Sequence, residues 1–122
     1  MKNTAAKFKH ADYLWDDKKA ALYGDDQIGL FLYRSNILGA DLRITNYGGG
    51  NTSCKTIEKD PLTNEEVEVM WIKGSGGDIG TLNRAGIAGI YVDRLRNLKN
   101  VYGGLEDEDR MVGLFNHSIY DL

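Results

Sequence analysis

The sequence predicts a mixed α/β fold in which helices precede a β-hairpin. Apolar residues fall near helical spacing in two stretches before residue 40, and residues 66–73 place Val67, Val69 and Trp71 at every second position. The first pattern is typical of amphipathic helices and the second of a pleated strand. Because a chain of 122 residues suits one hydrophobic core, we expect a single domain over residues 1–122.

Two helices are predicted in the N-terminal third of the chain. Residues 11–23 mix apolar and charged side chains, and Gly24 follows them as a typical residue at the end of a helix. Asp25 and Asp26 are suitable N-caps for a second helix at about residues 26–38. The chain is therefore expected to begin with a pair of helices.

A hairpin is predicted after the helices. One strand is expected at residues 51–58, a polar turn with the only proline at residues 59–64, and a second strand at residues 66–73. The two open ends of a hairpin lie side by side. We therefore expect the loop before the first strand and the loop after the second strand to meet at one edge of the sheet.

The C-terminal half carries shorter patterns. Residues 80–83 suit one helical turn, and residues 87–92 form a short apolar run that fits a buried strand, with a helix as the alternative. The acidic residues 106–109 favour the first turn of another helix. Residues 117–122 (HSIYDL) end on apolar side chains without a long polar tail, and we expect them to belong to a longer domain.

Two glycine-rich loops flank the hairpin. In residues 46–55, three consecutive glycines end at Gly50, and Asn51 and Ser53 follow as side-chain hydrogen-bond donors. An ordinary hairpin loop would use the same glycines, so this loop alone predicts anion binding no better than a structural turn. The second loop favours the interpretation as an anion-binding site.

The second loop, residues 73–78, adds the donors that a phosphate group needs. Lys73 supplies a positive charge, Ser75 a hydroxyl, and Gly76 and Gly77 their backbone amides. Neither loop has the spacing of a P-loop or of a Gly-x-Gly-x-x-Gly motif, which argues against a nucleotide site. Together the loops predict one shared cradle for a phosphate.

Composition argues against several classes of partner. The formal net charge of −3 gives no broad cationic field, so nucleic acid is not an expected partner. No run of about 18 apolar residues suits a membrane span, and residues 1–10 carry lysines without the apolar run of a leader. Cys54 is the only cysteine, so no internal disulfide can form. We expect a cytoplasmic protein with no membrane partner.

The other chemically notable side chains favour structural roles. Cys54 has no histidine near it in the sequence and is expected to pack in a strand. His10 and His117 are isolated, with no second residue at metal-binding spacing, so no metal ligand is assigned. Trp71 and Tyr91 are expected in the core.

Three segments resemble the class II aldolase/adducin family. They are residues 44–53 (ITNYGGGNTS), residues 71–78 (WIKGSGGD) and residues 89–95 (GIYVDRL). More narrowly, they resemble the aldolase half of the bifunctional rhamnulose-1-phosphate aldolase/alcohol dehydrogenases, and the similarity runs from about Tyr33 to the C-terminus. The resemblance implies a class II aldolase-like α/β/α layered domain around a mainly antiparallel sheet.

The resemblance also implies a reaction and a set of binding residues. The family cleaves a ketose 1-phosphate reversibly into dihydroxyacetone phosphate and an aldehyde, which is lactaldehyde when the substrate is rhamnulose 1-phosphate. Gly50, Asn51, Ser75 and Gly76 match the positions that hold the substrate phosphate. The match is less direct for three further residues, which are Ser53, Lys73 and Gly77.

The family's zinc-binding residues do not occur in this chain. The family holds zinc with a His-x-His pair and a later histidine, and a preceding glutamate transfers the proton. The resemblance therefore implies that residues 1–122 are the N-terminal part of an aldolase domain, with no catalytic residue and no aldolase activity of their own. Zinc would belong to the intact enzyme, and NAD(P) only to a fused dehydrogenase half. A sugar phosphate and further copies of the chain, in a homo-oligomer, are the expected partners.

Two other functions stay open at this point. A non-catalytic member of the family, like adducin, would use the domain for assembly. An unrelated sugar-phosphate-binding module would use only the cradle. A reading frame that continues past Leu122 into a glutamate and a His-x-His pair would favour the enzyme.

Overall fold

The computed structural model describes residues 8–122. The expectation that no leader is present rests on residues 1–10, of which residues 1–7 lie outside the described part. The chain forms two compact units. The first extends to Thr52 and also includes Lys73–Gly86, and the second contains the remaining residues. The expectation of a single domain stays a prediction.

The first helix of the first unit is shorter than the sequence predicts. α1 spans only Asp17–Ala21, so the prediction of a helix over residues 11–23 is wrong in its extent. The carboxylate of Asp16 accepts hydrogen bonds from the amides of Lys18 (2.9 Å) and Lys19 (3.2 Å). Asp16 itself has an extended backbone, and this N-cap fixes the start of the helix.

The second helix confirms its prediction. α2 spans Gln27–Gly39, one residue later than the expected 26–38 at each end. It begins at the expected N-cap Asp26, whose carboxylate accepts a hydrogen bond of 2.9 Å from the Gly29 amide. Phe31 is its largest buried side chain. α2 therefore supplies one wall of the core of the first unit.

Two short 3₁₀ turns lie in residues 79–86 of the first unit. One spans Ile79–Thr81, one residue ahead of the helical turn expected at residues 80–83, and Arg84–Gly86 follows it. The side chains of Ile79 and Leu82 are buried. The first of these turns packs against α2, so the helix and the turn form one packed element of the first unit.

Within residues 8–122, four strands form one sheet in the order β1-β2-β3-β4. They are β1 (Ser53–Lys59), β2 (Glu66–Lys73), β3 (Ile87–Tyr91) and β4 (Ile119–Asp121). β1 pairs with β2 antiparallel, and β3 pairs with β4 antiparallel. The hairpin is therefore confirmed, although its first strand begins two residues later than expected. Residues 87–91 form a strand and not the alternative helix.

The core of the second unit contains the two aromatic residues that the sequence places there. Val69 is fully buried, and Trp71 and Tyr91 are buried as expected. The Trp71 indole Nε1 donates a hydrogen bond of 2.9 Å to Thr56 Oγ1. Gly89 lies against the Trp71 ring, where an added Cβ would approach the ring to 2.9 Å. The ring therefore fits only over a residue without a side chain.

The C-terminal elements include a helix and a strand that the sequence patterns do not predict. α3 spans Val92–Val101 and follows β3 without a loop. Its first residue belongs to the same apolar run as the strand, so the sequence pattern does not show where the helix begins. The acidic residues 106–109 do not begin one helix, because a 3₁₀ turn covers Leu105–Asp107 and α4 is Asp109–Leu114. A last 3₁₀ turn then leads into β4.

Helices and a sheet with antiparallel pairings make up an α/β fold, which is the class that the sequence predicts. Within residues 8–122, no helix is both long enough and apolar enough to cross a membrane.

Candidate functional site

Both glycine-rich loops belong to the first unit and lie side by side there. Because β1 begins at Ser53 and β2 ends at Lys73, the first loop is limited here to residues 46–52 and the second loop to residues 74–78. The Lys73 amide, directly before the second loop, donates to Thr52 O at 3.1 Å. The Ile79 amide, directly after it, donates to Gly49 O at 3.3 Å. These two backbone hydrogen bonds hold the loops together, as expected for the two ends of a hairpin.

Gly50 permits the close approach of the two loops. Its φ is +90°, in the left-handed region that residues with a side chain rarely adopt. A Cβ at this position would lie 3.0 Å from Cγ2 of Ile79. Any other residue here would therefore both strain the backbone and push against Ile79.

The four residues matched to the substrate phosphate are exposed to solvent. They are Gly50, Asn51, Ser75 and Gly76. Among the described residues, the side chains of Asn51 and Ser75 make no hydrogen bond within the chain. Gly76 has a φ of +85°, and no atom lies within 4 Å of the position that its Cβ would take. Donor groups and open space are thus both present for a ligand.

Lys73 provides a positive charge beside these donors, and only one hydrogen bond from its ammonium group is seen within the described residues. It is the last residue of β2 and follows Val69 and Trp71 on the buried face of that strand, so it is only 9% exposed. Its Nζ donates to Gly74 O at 3.1 Å, and no carboxylate of the described residues lies within ion-pair distance. Because an ammonium has three donors, Lys73 can still bind an anion.

A cleft of about 180 Å³ adjoins the second loop. The hydrogen bond from the Gly74 amide to Gly86 O (2.8 Å) lies at this cleft. The carboxylate of Asp78 faces its own turn, since Oδ1 accepts from the Gly80 amide at 3.1 Å. The residues that line the cleft are Gly74, Ser75, Gly77, Asp78, Thr81, Leu82, Asn83 and Gly86.

The structure places two residues beside the second loop that the sequence does not assign to the site. Thr81 and Asn83 line the cleft, and no sequence signal links them to the loops. Gly77, a less direct match, also lines it, with its Cβ position 3.9 Å from Lys73 Cε. Ser53 is the first residue of β1, in the second unit, and its part in the site stays a prediction.

An ion pair holds the turn that leads into the first loop. Arg43 binds the buried carboxylate of Asp41 through Nε (2.9 Å) and Nη2 (2.8 Å), and Nη2 also lies 2.8 Å from Asp12 Oδ2. These contacts, chiefly the side-chain hydrogen bonds from Arg43, lower the pKa of Asp41 to about 2. Two carboxylates already neutralise Arg43, which therefore is not a free cation for a phosphate.

The described residues do not fit a zinc site. Between residues 8 and 122, no three His, Cys, Asp or Glu side chains gather so that they could hold a metal ion. His117 lies in the last 3₁₀ turn, where its carbonyl accepts a hydrogen bond of 3.1 Å from Arg94. Cys54 lies half-buried in β1.

Comparisons with known proteins support an aldolase-type domain. No model of a known protein family matches the chain. The uncharacterized oxidoreductase YuxG of Bacillus subtilis (strain 168) is 38% identical over 111 residues, which are 89% of this chain and 15% of that protein. The chain therefore spans only a small part of this relative.

A solved structure is similar over nearly the whole chain. It is the N-terminal class II aldolase domain of a conserved protein from Thermoplasma acidophilum, with 30% sequence identity and a TM-score of 0.61. The match covers 96% of this chain and 49% of that one. The chain therefore has a class II aldolase-like α/β fold, as the sequence predicts, and corresponds to about half of the solved domain.

Proposed function

We propose that this chain is the substrate-phosphate-binding portion of an aldolase-type domain that acts on a sugar phosphate. One observation carries the proposal: the first unit fastens both glycine-rich loops to each other and leaves their donors exposed. The fastening bonds are Ile79 N to Gly49 O and Lys73 N to Thr52 O. A phosphate held by both loops would be fixed in position and orientation.

Each matched residue has a distinct task in this proposal. Gly50 and Gly76, both at positive φ, turn backbone amides towards a common anion. The side chains of Asn51 and Ser75 donate hydrogen bonds to the phosphate oxygens. Lys73 adds a charge-assisted hydrogen bond from its remaining donors. The chain's own contribution is binding and orientation.

The finer proposal concerns the substrate and the parent protein. We propose rhamnulose 1-phosphate or a similar ketose 1-phosphate as the substrate, with dihydroxyacetone phosphate and lactaldehyde as products. The sequence resemblance supports this choice. A parent protein that joins an aldolase-type domain to a dehydrogenase would account for both the aldolase-like fold and the relative's name as an oxidoreductase. NAD(P) would then belong to the dehydrogenase half.

The proposed function of residues 8–122 does not include zinc binding. Residues 8–122 do not gather a set of metal ligands, so no step of carbon–carbon cleavage is assigned to them. In the intact enzyme of the resembled family, other residues are expected to bind the zinc.

The test is a titration of the ¹⁵N-labelled chain with inorganic phosphate and, separately, with dihydroxyacetone phosphate. We expect the amides of Gly50, Asn51, Ser75 and Gly76 to shift together with one dissociation constant. Asn51→Ala should weaken binding, whereas Asn97→Ala, the same exchange on an exposed residue of α3, should not. Undisturbed loop amides at saturating ligand would rule out the shared site.

A specific observation also favours an assembly role as a second candidate. In the first unit, a groove of about 440 Å³ has an almost entirely apolar lining. Its large apolar residues are Phe8, Leu14, Trp15, Ile37, Leu38 and Ile44. Apolar surface of this kind favours association with another protein surface. Association of the chain without any phosphate-induced shift would favour this candidate over the enzyme.

A further inference from the structure

We infer that Ser35 and Asn36, neighbours on α2, are positioning residues that hold the two loops in register for phosphate. This inference rests on the proposed function. Neither residue has a free donor to offer a ligand: Ser35 acts through the first loop, and Asn36 acts through the 3₁₀ turn that follows the second loop. The geometry of each residue carries a separate part of the inference.

Asn36 holds the 3₁₀ turn that follows the second loop. Its Nδ2 donates to Ile79 O at 3.1 Å and to Leu82 O at 3.0 Å. An amide nitrogen has two hydrogens, so both are used. The amide of Ile79 in turn donates to Gly49 O in the first loop at 3.3 Å. The Asn36 amide therefore supports the residue that joins the two loops.

Ser35 holds the first loop directly after Asn51. Ser35 is fully buried, and its hydroxyl donates to Phe31 O at 2.8 Å. Because that bond uses its only proton, the 2.9 Å contact with Thr52 must have Thr52 Oγ1 as the donor and Ser35 Oγ as the acceptor. The carbonyl of Thr52 accepts from the Lys73 amide. Ser35 therefore fixes the residue that ties the first loop to the end of β2.

The packing of α2 leaves the turn little room to move. Gly39, at the end of α2, lies against the backbone of Gly80, and a Cβ on Gly39 would overlap the Gly80 amide nitrogen. A Cβ on Gly80 would lie 3.0 Å from Gly39 O. A helix that binds the first loop at Thr52 and the 3₁₀ turn directly after the second loop is the kind of support that a preorganised binding site requires.

The test compares three variants of the full chain with the wild type in the phosphate titration. Asn36→Asp keeps the size of the side chain but removes both donors, and Thr52→Val keeps the size but removes the donor to Ser35. Each should raise the dissociation constant for inorganic phosphate about tenfold, the factor that corresponds to one lost hydrogen bond. Thr56→Val is the matched control, since it removes the buried Trp71 hydrogen bond in the second unit.

A second measurement separates positioning from a general loss of stability. Amide hydrogen exchange in the absence of ligand should accelerate at Ile79 in Asn36→Asp and at Lys73 in Thr52→Val, while the amides of β1 keep their wild-type rates. Thr56→Val should lower the unfolding temperature and leave both the phosphate affinity and these two exchange rates unchanged.

The possible results distinguish the two proposals. No phosphate binding by the wild type would overturn the proposed function and the positioning role together. Binding by the wild type with an unchanged dissociation constant in Asn36→Asp and Thr52→Val would overturn the positioning role alone. An equal loss of affinity in Thr56→Val would also overturn it, because the effect would then follow stability.

Discussion

The Tyr91 hydroxyl donates a hydrogen bond of 2.7 Å to Asp60 Oδ2 and so joins β3 to the turn between β1 and β2. Asp60 Oδ1 accepts two further hydrogen bonds, from the amides of Leu62 (2.8 Å) and Thr63 (2.9 Å). These contacts, first the bond from Thr63 and next that from Tyr91, lower the pKa of Asp60 to about 2. The turn of the hairpin therefore depends on an ionised carboxylate.

Because the Asp60 carboxylate must be ionised, we predict that acid lowers the stability of the chain. Because the folded pKa of Asp60 lies below its ordinary value of 3.8, its contribution to stability is present above that value and is lost as the pH falls through about 2. Asp41, held by Arg43, acts in the same direction. The free energy of unfolding, measured with urea at each pH, should fall between about pH 4 and about pH 2. The Asp60→Asn variant should lose less unfolding free energy than the wild type over this range. An equal loss would contradict the role assigned to the Asp60 carboxylate.

Gly89→Ala should destabilise the chain by about 1–3 kcal/mol, because the added Cβ would press on the Trp71 ring. Gly113→Ala is the matched control. No atom lies within 4 Å of its Cβ position, and alanine favours the helix α4 by roughly 0.5–1 kcal/mol over glycine. Thermal unfolding of both variants measures the difference. Equal effects would show that the Trp71 contact does not limit position 89.

Lys73→Met should weaken phosphate binding about tenfold or more, since a charge-assisted hydrogen bond is lost. The unfolding free energy should not fall, because the change also removes a buried ammonium with one acceptor. Lys55→Met, the same exchange on an exposed residue of β1, is the control. The measurement is the NMR titration, and similar affinities for both variants would exclude Lys73 from the site.

We predict no aldolase activity for the isolated chain, because the resemblance implies that the zinc ligands, a His-x-His pair and a later histidine, belong to another part of the parent protein. The assay incubates the pure chain with zinc and rhamnulose 1-phosphate and measures dihydroxyacetone phosphate. A complete class II aldolase serves as the positive control. Zinc-dependent release of product by the 122-residue chain would refute this prediction.

We expect the chain to self-associate, with a mass above its 13.6 kDa in light scattering. Leu14→Ser and Leu38→Ser, both in the apolar groove of the first unit, should reduce the measured mass. Leu62→Ser changes an exposed leucine outside that groove and should not. A monodisperse monomer in the wild type would contradict the expected homo-oligomer.

The sequence predicts β2 well because its signal is local. Every second residue faces a buried layer, so Val69 and Trp71 mark the strand by their spacing alone. The start of α1 depends both on the local N-cap Asp16 and on contacts with a distant residue. The Asp16 amide donates to the Tyr33 hydroxyl at 3.2 Å, and the Trp15 ring lies 5.3 Å from that of Tyr33. A local pattern contains no trace of these contacts, so the predicted helix is too long.

The candidate site shows the same division. The loops themselves are predictable, since consecutive glycines such as Gly50 are visible in the sequence and a hairpin brings its ends together. The support from α2 cannot be predicted from local sequence, because the bond from Asn36 to Ile79 O spans 43 residues of sequence. Only the folded chain shows which helix carries the loops.

The bond between Lys73 N and Thr52 O also sets how the site would respond to insertions. Residues 53–72 belong to the second unit. The residues on either side of them, Thr52 and Lys73, belong to the first unit and are joined by this 3.1 Å bond. A peptide tag inserted at the hairpin tip near Leu62, whose side chain is 92% exposed, would disturb the Asp60 turn but not this closure. The hairpin is therefore a place to attach a fluorescent reporter while the loops keep their spacing.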